Sequence, residues 1–114
     1  MKKFYVLTLL VAVSIFLSYC SASKKAAKRK TTYAANLITI IADNCTPCHI
    51  PAKGGNKRPY DNYANVKKDI DDIIRRVELA PAERGFMPFK KTEKLPADVI
   101  AVFKKWKTDG MLEN

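Results

Sequence analysis

The chain has only one histidine, three cysteines and four glycines among its 114 residues. A single histidine excludes any site within one chain that requires two histidine ligands. The alternation of apolar and polar residues that marks half-buried strands is also lacking, which argues against a fold built on βαβ units. Acidic residues are few, 11 against 21 Lys and Arg, so the formal net charge is +10. Because 47% of the residues are hydrophobic and the chain is short, one globular domain is expected.

The chain also lacks an apolar run long enough to cross a membrane as a helix, which needs about 20 residues. The longest run, residues 4–17, is interrupted by Thr8 and Ser14 and preceded by Lys2 and Lys3. A basic start followed by an apolar run of this length is typical of a secretory signal. We therefore predict a signal peptide over residues 1–19 and a protein exported to the periplasm-facing side of a membrane.

The end of this signal, Leu17-Ser18-Tyr19-Cys20, resembles a bacterial lipoprotein signal. The resemblance implies lipidation at Cys20 and attachment to the membrane through that lipid anchor; an ordinary cleaved signal and a retained anchor are the alternatives. Residues 20–31 follow as a basic flexible tether whose cations are Lys24, Lys25, Lys28, Arg29 and Lys30. Residues 31–114 keep 14 basic and 11 acidic residues, a net charge of only +3, so no nucleic-acid binding is predicted.

Three segments of the remaining chain place apolar residues at helical spacing, which predicts an all-α domain over residues 32–114. Residues 50–65 and 80–95, rich in Pro, Gly and polar residues, are predicted loops. Pro96 suits the start of the last helix and Gly110 suits its end. The spaced residues are Tyr33, Leu37, Ile40, Ile41 and Asn44 in the first segment, Val66, Ile70, Ile73, Ile74 and Val77 in the second, and Val99, Val102, Phe103 and Trp106 in the third.

The histidine and two of the cysteines stand together as Cys45-Thr46-Pro47-Cys48-His49. This is the attachment signature of c-type haem. Two cysteines three positions apart lie about one helical turn from each other, which matches the two vinyl groups to which their thiols add, and His49 then reaches the iron. The alternatives are a redox-active dithiol, a zinc site and a structural disulfide. The first of these would need strands, and the second would need a fourth ligand.

Met87 is the candidate for the second axial ligand of such a haem, with Met111 as the other methionine to consider. It lies in Gly85-Phe86-Met87-Pro88, a segment that follows the second predicted helix. Gly85 permits an unusual turn and Pro88 prevents helix continuation, so the segment can fold over the opposite haem face. The alternative is that Met87 only fills the core.

The order of these features resembles the small monohaem class I cytochromes c over residues 31–114. The resemblance implies three main helices around one covalent haem c, with thioethers at Cys45 and Cys48. It implies His49 as the proximal iron ligand and Met87 as the distal one. The first and last helices of this family cross at one haem edge, which assigns that contact to Leu37, Ile41, Val102, Phe103 and Trp106.

The same resemblance implies several supporting roles. A proline carbonyl accepts a hydrogen bond from the proximal histidine in this family; Pro59 is the nearest match and Pro51 the alternative. Candidate contacts to the haem propionates are Arg58, Tyr60 and Tyr63, with the alternative that they are ordinary loop residues.

Ligands on both faces of the iron leave no place for a substrate, so the expectation is an electron carrier and not an enzyme. The expected partners are redox proteins with acidic docking surfaces, steered by Lys53, Lys57, Arg58, Lys90, Lys91 and Lys94. Two alternatives remain open. One is a gas sensor or weak peroxidase with a labile sixth site, and the other is a haem subunit of a larger oxidoreductase.

Overall fold

A computed structural model describes residues 29–114, so the predicted signal peptide, most of the tether and Cys20 lie outside the described residues. Within the described range the regular elements are all helical, which confirms the predicted all-α class at this level. Residues 31–114 form one compact unit. No helix in this part of the chain is long and apolar enough to cross a membrane.

The first helical segment leads directly into the Cys-Thr-Pro-Cys-His turn. It opens with a π-helical stretch, Tyr33–Leu37, and continues as helix α1, Ile38–Asn44. Thr32 caps its start, since the Thr32 hydroxyl accepts a hydrogen bond from the Ala35 amide at 3.2 Å. At the other end the Cys45 amide donates to the Ile41 carbonyl at 2.8 Å. The helix therefore fixes the position of the first motif cysteine.

Helix α2, Tyr63–Glu78, is the longest element and buries the apolar face that its sequence predicts. Val66, Ile70, Ile73 and Val77 are buried, whereas Ile74 is half-buried. The predicted loop over residues 50–65 extended too far, because α2 already begins at Tyr63. The reason is a cap: the Asn62 side chain accepts a hydrogen bond from the Asn65 amide at 3.1 Å, which starts the helix there.

Helix α3, Ala97–Thr108, packs against α2 and follows Pro96 as predicted. Gly110 lies just beyond its end with φ of +99°, a conformation that favours glycine. Two ion pairs join the exposed faces of the helices: Lys104 to Glu78, and Lys107 to Asp71 at 2.5 Å.

The start of the first helical segment packs against α3 and the chain terminus, with Trp106 at the centre of this contact. Trp106 is fully buried, and its indole N–H donates to the Leu112 carbonyl at 2.7 Å. The Tyr33 amide donates to the same carbonyl at 2.9 Å, beside a parallel bridge between Thr32 and Leu112. Of the five residues expected at this contact, four are buried and the fifth is half-buried: Leu37, Ile41, Phe103, Trp106 and Val102.

Candidate functional site

A cavity of about 530 Å³ lies beside the core and brings the chemically distinctive residues together. Its size falls within the range of about 300–1,000 Å³ that is typical of small-molecule and cofactor sites. Cys45, Cys48, His49 and Met87, singled out from the sequence, all line it. Met111 does not: it lies just past α3, where its carbonyl accepts from the Tyr63 hydroxyl at 2.9 Å. The structure therefore groups the motif with Met87 and not with Met111.

The walls of the cavity are mostly apolar and come from several elements. Charged side chains lie among the lining residues as well, and four of them are basic. The apolar contributors outside the motif are Ile73, Val77, Met87, Pro88, Phe89, Leu95 and Phe103, and the basic ones are Lys57, Arg58, Arg76 and Lys91. This combination suits an apolar group that carries acidic substituents.

His49 is held by a hydrogen bond to a backbone carbonyl. Its Nδ1 lies 2.8 Å from the Arg58 carbonyl oxygen. A carbonyl only accepts, so Nδ1 carries a proton, and in the neutral imidazole this tautomer leaves the lone pair on Nε2. Metal-binding histidines have this arrangement, in which the second nitrogen donates to an oxygen and fixes the ring.

The acceptor differs from both prolines named in the sequence analysis, and the expectation of a proline carbonyl is wrong. The Pro59 carbonyl accepts from the Asn65 side-chain amide at 2.9 Å instead. Arg58 precedes Pro59, so the oxygen that His49 contacts belongs to the peptide bond that joins these two residues. Pro59 therefore stiffens the acceptor's own peptide without supplying the acceptor.

Tyr60 and Asp69 complete the support around His49. The Tyr60 ring stacks on the His49 imidazole with 4.2 Å between centroids and 1° between planes, and the Tyr60 amide donates to the His49 carbonyl at 2.9 Å. Asp69 on α2 pairs with the Arg58 Nε at 2.8 Å and accepts from the Tyr60 hydroxyl at 3.4 Å. Burial and then the Asp69 charge raise the pKa of Tyr60 to about 12, so this ring stays neutral. The Asp69 carboxylate thus anchors both Arg58 and Tyr60, the two residues that contact His49.

Among the three residues considered for the propionates, the structure separates Tyr63 from the others. Arg58 and Tyr60 line the cavity, whereas Tyr63 does not. Tyr63 packs instead edge-on against Tyr33 and Trp106, with ring centroids 5.8 and 6.2 Å away. The six basic residues expected to steer partners are divided in a similar way. Three line the cavity, Lys57, Arg58 and Lys91, and three are exposed outside it, Lys53, Lys90 and Lys94.

The Cys45 thiol does not favour a redox dithiol. Burial raises the pKa of Cys45 to about 11, whereas a reactive thiol needs a lowered pKa. Both thiols are free, which gives no support to a structural disulfide. Within residues 29–114, no three His, Cys, Asp or Glu side chains converge as ligands of a metal ion, so the zinc alternative gains no support either.

The segment carrying Met87 is tied to the end of α2. The Met87 amide donates to the Arg76 carbonyl at 3.2 Å, and the Arg76 guanidinium contacts the Gly85 carbonyl at 3.4 Å. Phe86, between these two contacts, is buried, and Gly85 has φ of +96°. The sequence indicated the glycine and the proline of this segment but not Arg76, because a contact nine residues away carries no local signal.

Gly55 is another residue that the sequence did not single out. It packs so closely on the motif turn that a Cβ at this position would lie 2.3 Å from the Pro47 carbonyl oxygen and 2.6 Å from that of Cys48. Backbone atoms on both sides leave no flexible group that could move. Gly54 beside it meets nothing within 4 Å but has φ of +83°. Glycine therefore suits position 55 because no space is left for a Cβ, and position 54 because the backbone is left-handed.

We expect Gly55→Ala to destabilise the protein by about 3 kcal/mol, because the added methyl group forces the loop away from Cys48. Gly54→Ala is the matched control and costs only about 1–2 kcal/mol, the strain of a left-handed non-glycine residue. Denaturant unfolding of the two variants measures both values. A smaller loss for Gly55→Ala than for Gly54→Ala would contradict this account.

The chain matches no model of a known protein family, and comparisons with curated proteins and with solved structures give no match. The geometry of the site itself therefore carries the functional argument.

Proposed function

We propose that the protein is a monohaem electron carrier of the class I cytochrome c type. The proposal is carried by one observation: Cys45, Cys48, His49 and Met87 line a single, mostly apolar cavity of cofactor size. In such a protein, the haem supplies reversible one-electron chemistry by cycling between Fe(III) and Fe(II).

Each of the four residues has a defined part in this proposal. Cys45 and Cys48 provide the thioether attachments, and their one-turn spacing suits that role. His49 offers Nε2 to the iron, because its Nδ1 proton is engaged by the Arg58 carbonyl. Met87 offers its thioether from a segment that is held against α2. A thioether ligand together with a histidine ligand would favour the ferrous state and raise the reduction potential.

With His49 and Met87 both bound to the iron, no position would remain for a substrate, which is why we propose an electron carrier and not an enzyme. The apolar walls would keep water from the metal, and exchange of an electron requires only a brief encounter with a partner. A gas sensor or weak peroxidase would require Met87 to release readily, and the hydrogen bond between Met87 and Arg76 works against this release. A haem subunit of a larger oxidoreductase would use the same site.

The proposed setting is outside the cytoplasm. The signal-like residues 1–19 would direct export, and a lipid on Cys20 would hold the protein at a membrane through its basic tether. Covalent attachment of haem to such a motif takes place outside the cytoplasm, so the two parts of the sequence agree.

A potentiometric titration of the haem-loaded protein, combined with a peroxide assay, tests the function. We expect a single, reversible one-electron wave and no turnover of peroxide. Turnover of peroxide, or a ferrous protein that binds carbon monoxide, would replace the electron carrier with a peroxidase or a gas sensor.

Basic residues beside the cavity provide a further expectation about partners. Lys91 lines the cavity, and Lys91→Gln should lower the rate of electron transfer to an acidic redox protein about twofold at low ionic strength. Lys68→Gln on the exposed face of α2 removes the same charge away from the cavity and serves as control. Stopped-flow rates at increasing salt measure the effect. Equal rates for the two variants, or no dependence on salt, would show that Lys91 does not steer partners.

A further inference from the structure

The Met87 segment, residues 85–88, has no regular secondary structure to hold it in place. It belongs to the stretch between α2 and α3, which contains no helix or strand. A thioether is a neutral, weak ligand, so its position relative to the iron depends on what holds the segment in place. The residues that hold it are therefore part of the site even where they do not touch the metal.

Arg76 holds this segment at two points, one from its backbone and one from its side chain. Its carbonyl is among the last four of α2, which have no partner within the helix, and it accepts from the Met87 amide at 3.2 Å. Its guanidinium Nη1 contacts the Gly85 carbonyl at 3.4 Å. The two contacts enclose the buried Phe86, so three consecutive residues are fixed against the end of the helix.

Asp72 fixes the Arg76 side chain in turn. Asp72 lies one turn earlier on α2, and its Oδ2 accepts from the Arg76 Nε at 2.6 Å. Its other oxygen accepts from Arg75 at 2.5 Å. These hydrogen bonds to the two arginines lower the pKa of Asp72, so the carboxylate stays charged at neutral pH. A guanidinium suits this place because its planar fork bonds a carboxylate with one nitrogen and a carbonyl with another.

We propose that Arg76, oriented by Asp72, is a positioning residue that keeps the Met87 thioether in place as an iron ligand. This inference rests on the proposed function. It adds that Arg76 determines how firmly Met87 would be held at the iron. The side-chain contact can be tested separately, because the backbone bond from Met87 to the Arg76 carbonyl survives any substitution at Arg76.

The test is competition between Met87 and imidazole for the ferric iron of the haem-loaded protein. Imidazole binds iron in its neutral form, so above the pKa of imidazole its binding reports how easily Met87 is displaced and responds little to a lost surface charge. We expect Arg76→Met to bind imidazole about fivefold more tightly than the unsubstituted protein, which corresponds to about 1 kcal/mol. The far-red sulfur–iron band should be lost at correspondingly lower imidazole concentrations.

Arg75→Met is the matched control. Arg75 is next in the chain, pairs with the same Asp72 and carries the same charge, but it does not line the cavity. We expect its imidazole affinity to equal that of the unsubstituted protein. Equal affinities in Arg76→Met and Arg75→Met would overturn the proposal.

Arg76→Lys separates positioning from charge and serves as the decisive variant if Arg76→Met fails to fold. A lysine keeps the charge but presents a single ammonium, which lacks the guanidinium fork that bridges Asp72 and the Gly85 carbonyl. Positioning predicts imidazole binding at least about twofold tighter than in the unsubstituted protein. Binding unchanged from that protein would show that only charge matters, which would overturn the proposal. Failure of the proposed function is distinguishable, because the unsubstituted protein would then lack the sulfur–iron band from the start.

Discussion

Replacing Met87 by alanine is expected to lower the reduction potential of the haem-loaded protein by on the order of 100 mV or more. The physical reason is the loss of a thioether that stabilises the ferrous state. If Met87 is the ligand that we propose, the same substitution would remove it from the iron, so the reduced protein should bind carbon monoxide. Potentiometric titration and reduced-state spectra with carbon monoxide measure the two effects.

Met111→Ala is the matched control for this experiment. Met111 has the same chemistry, but its side chain does not line the cavity. We expect its potential and its insensitivity to carbon monoxide to equal those of the unsubstituted protein. A Met87→Ala protein with an unchanged potential, or a Met111→Ala protein with a lowered one, would contradict the assignment of Met87.

Replacing Cys45 and Cys48 together by alanine is expected to abolish covalent haem attachment completely. Both proposed thioethers would depend on these sulfurs, and no other cysteine lies among residues 29–114. Denaturing gel electrophoresis with haem staining, or acid–acetone extraction, distinguishes noncovalently bound haem from covalently attached haem. In the double variant, all the haem should be extracted; each single variant retains one possible bond.

Cys20→Ala provides the matched control, because it removes a cysteine that stands 25 positions before the motif. Haem should stay attached to this variant in full. Attachment that persists in the double variant, or disappears in Cys20→Ala, would show that the motif does not act as proposed.

The sequence predicted the parts of this structure that depend on local spacing. The apolar faces of the helices are periodic, so Leu37, Ile70 and Trp106 could be assigned to the core before the fold was known. The Cys-Thr-Pro-Cys-His spacing is likewise local. Met87 was identified because Gly85 and Pro88 mark its segment as a turn.

What the sequence could not predict depends on contacts between distant segments. The Arg58 carbonyl replaces the expected Pro59 carbonyl because the path of the loop decides which oxygen faces His49. Gly55 has no room for a Cβ only because the chain returns to the motif turn, and that return is not visible in the local sequence. The bond between the Met87 amide and the Arg76 carbonyl depends on how the loop returns to α2, and neither residue carries a pattern that indicates it.

We propose above all that His49 and Met87 hold the iron of a covalently attached haem. Visible spectra of the protein expressed with haem-maturation machinery test it most directly, recorded oxidised, reduced, and reduced with carbon monoxide. We predict sharp low-spin bands and a weak far-red sulfur–iron band in the oxidised protein, and no change in the reduced bands with carbon monoxide. A high-spin spectrum, a spectrum altered by carbon monoxide, or a protein without attached haem would contradict the claim.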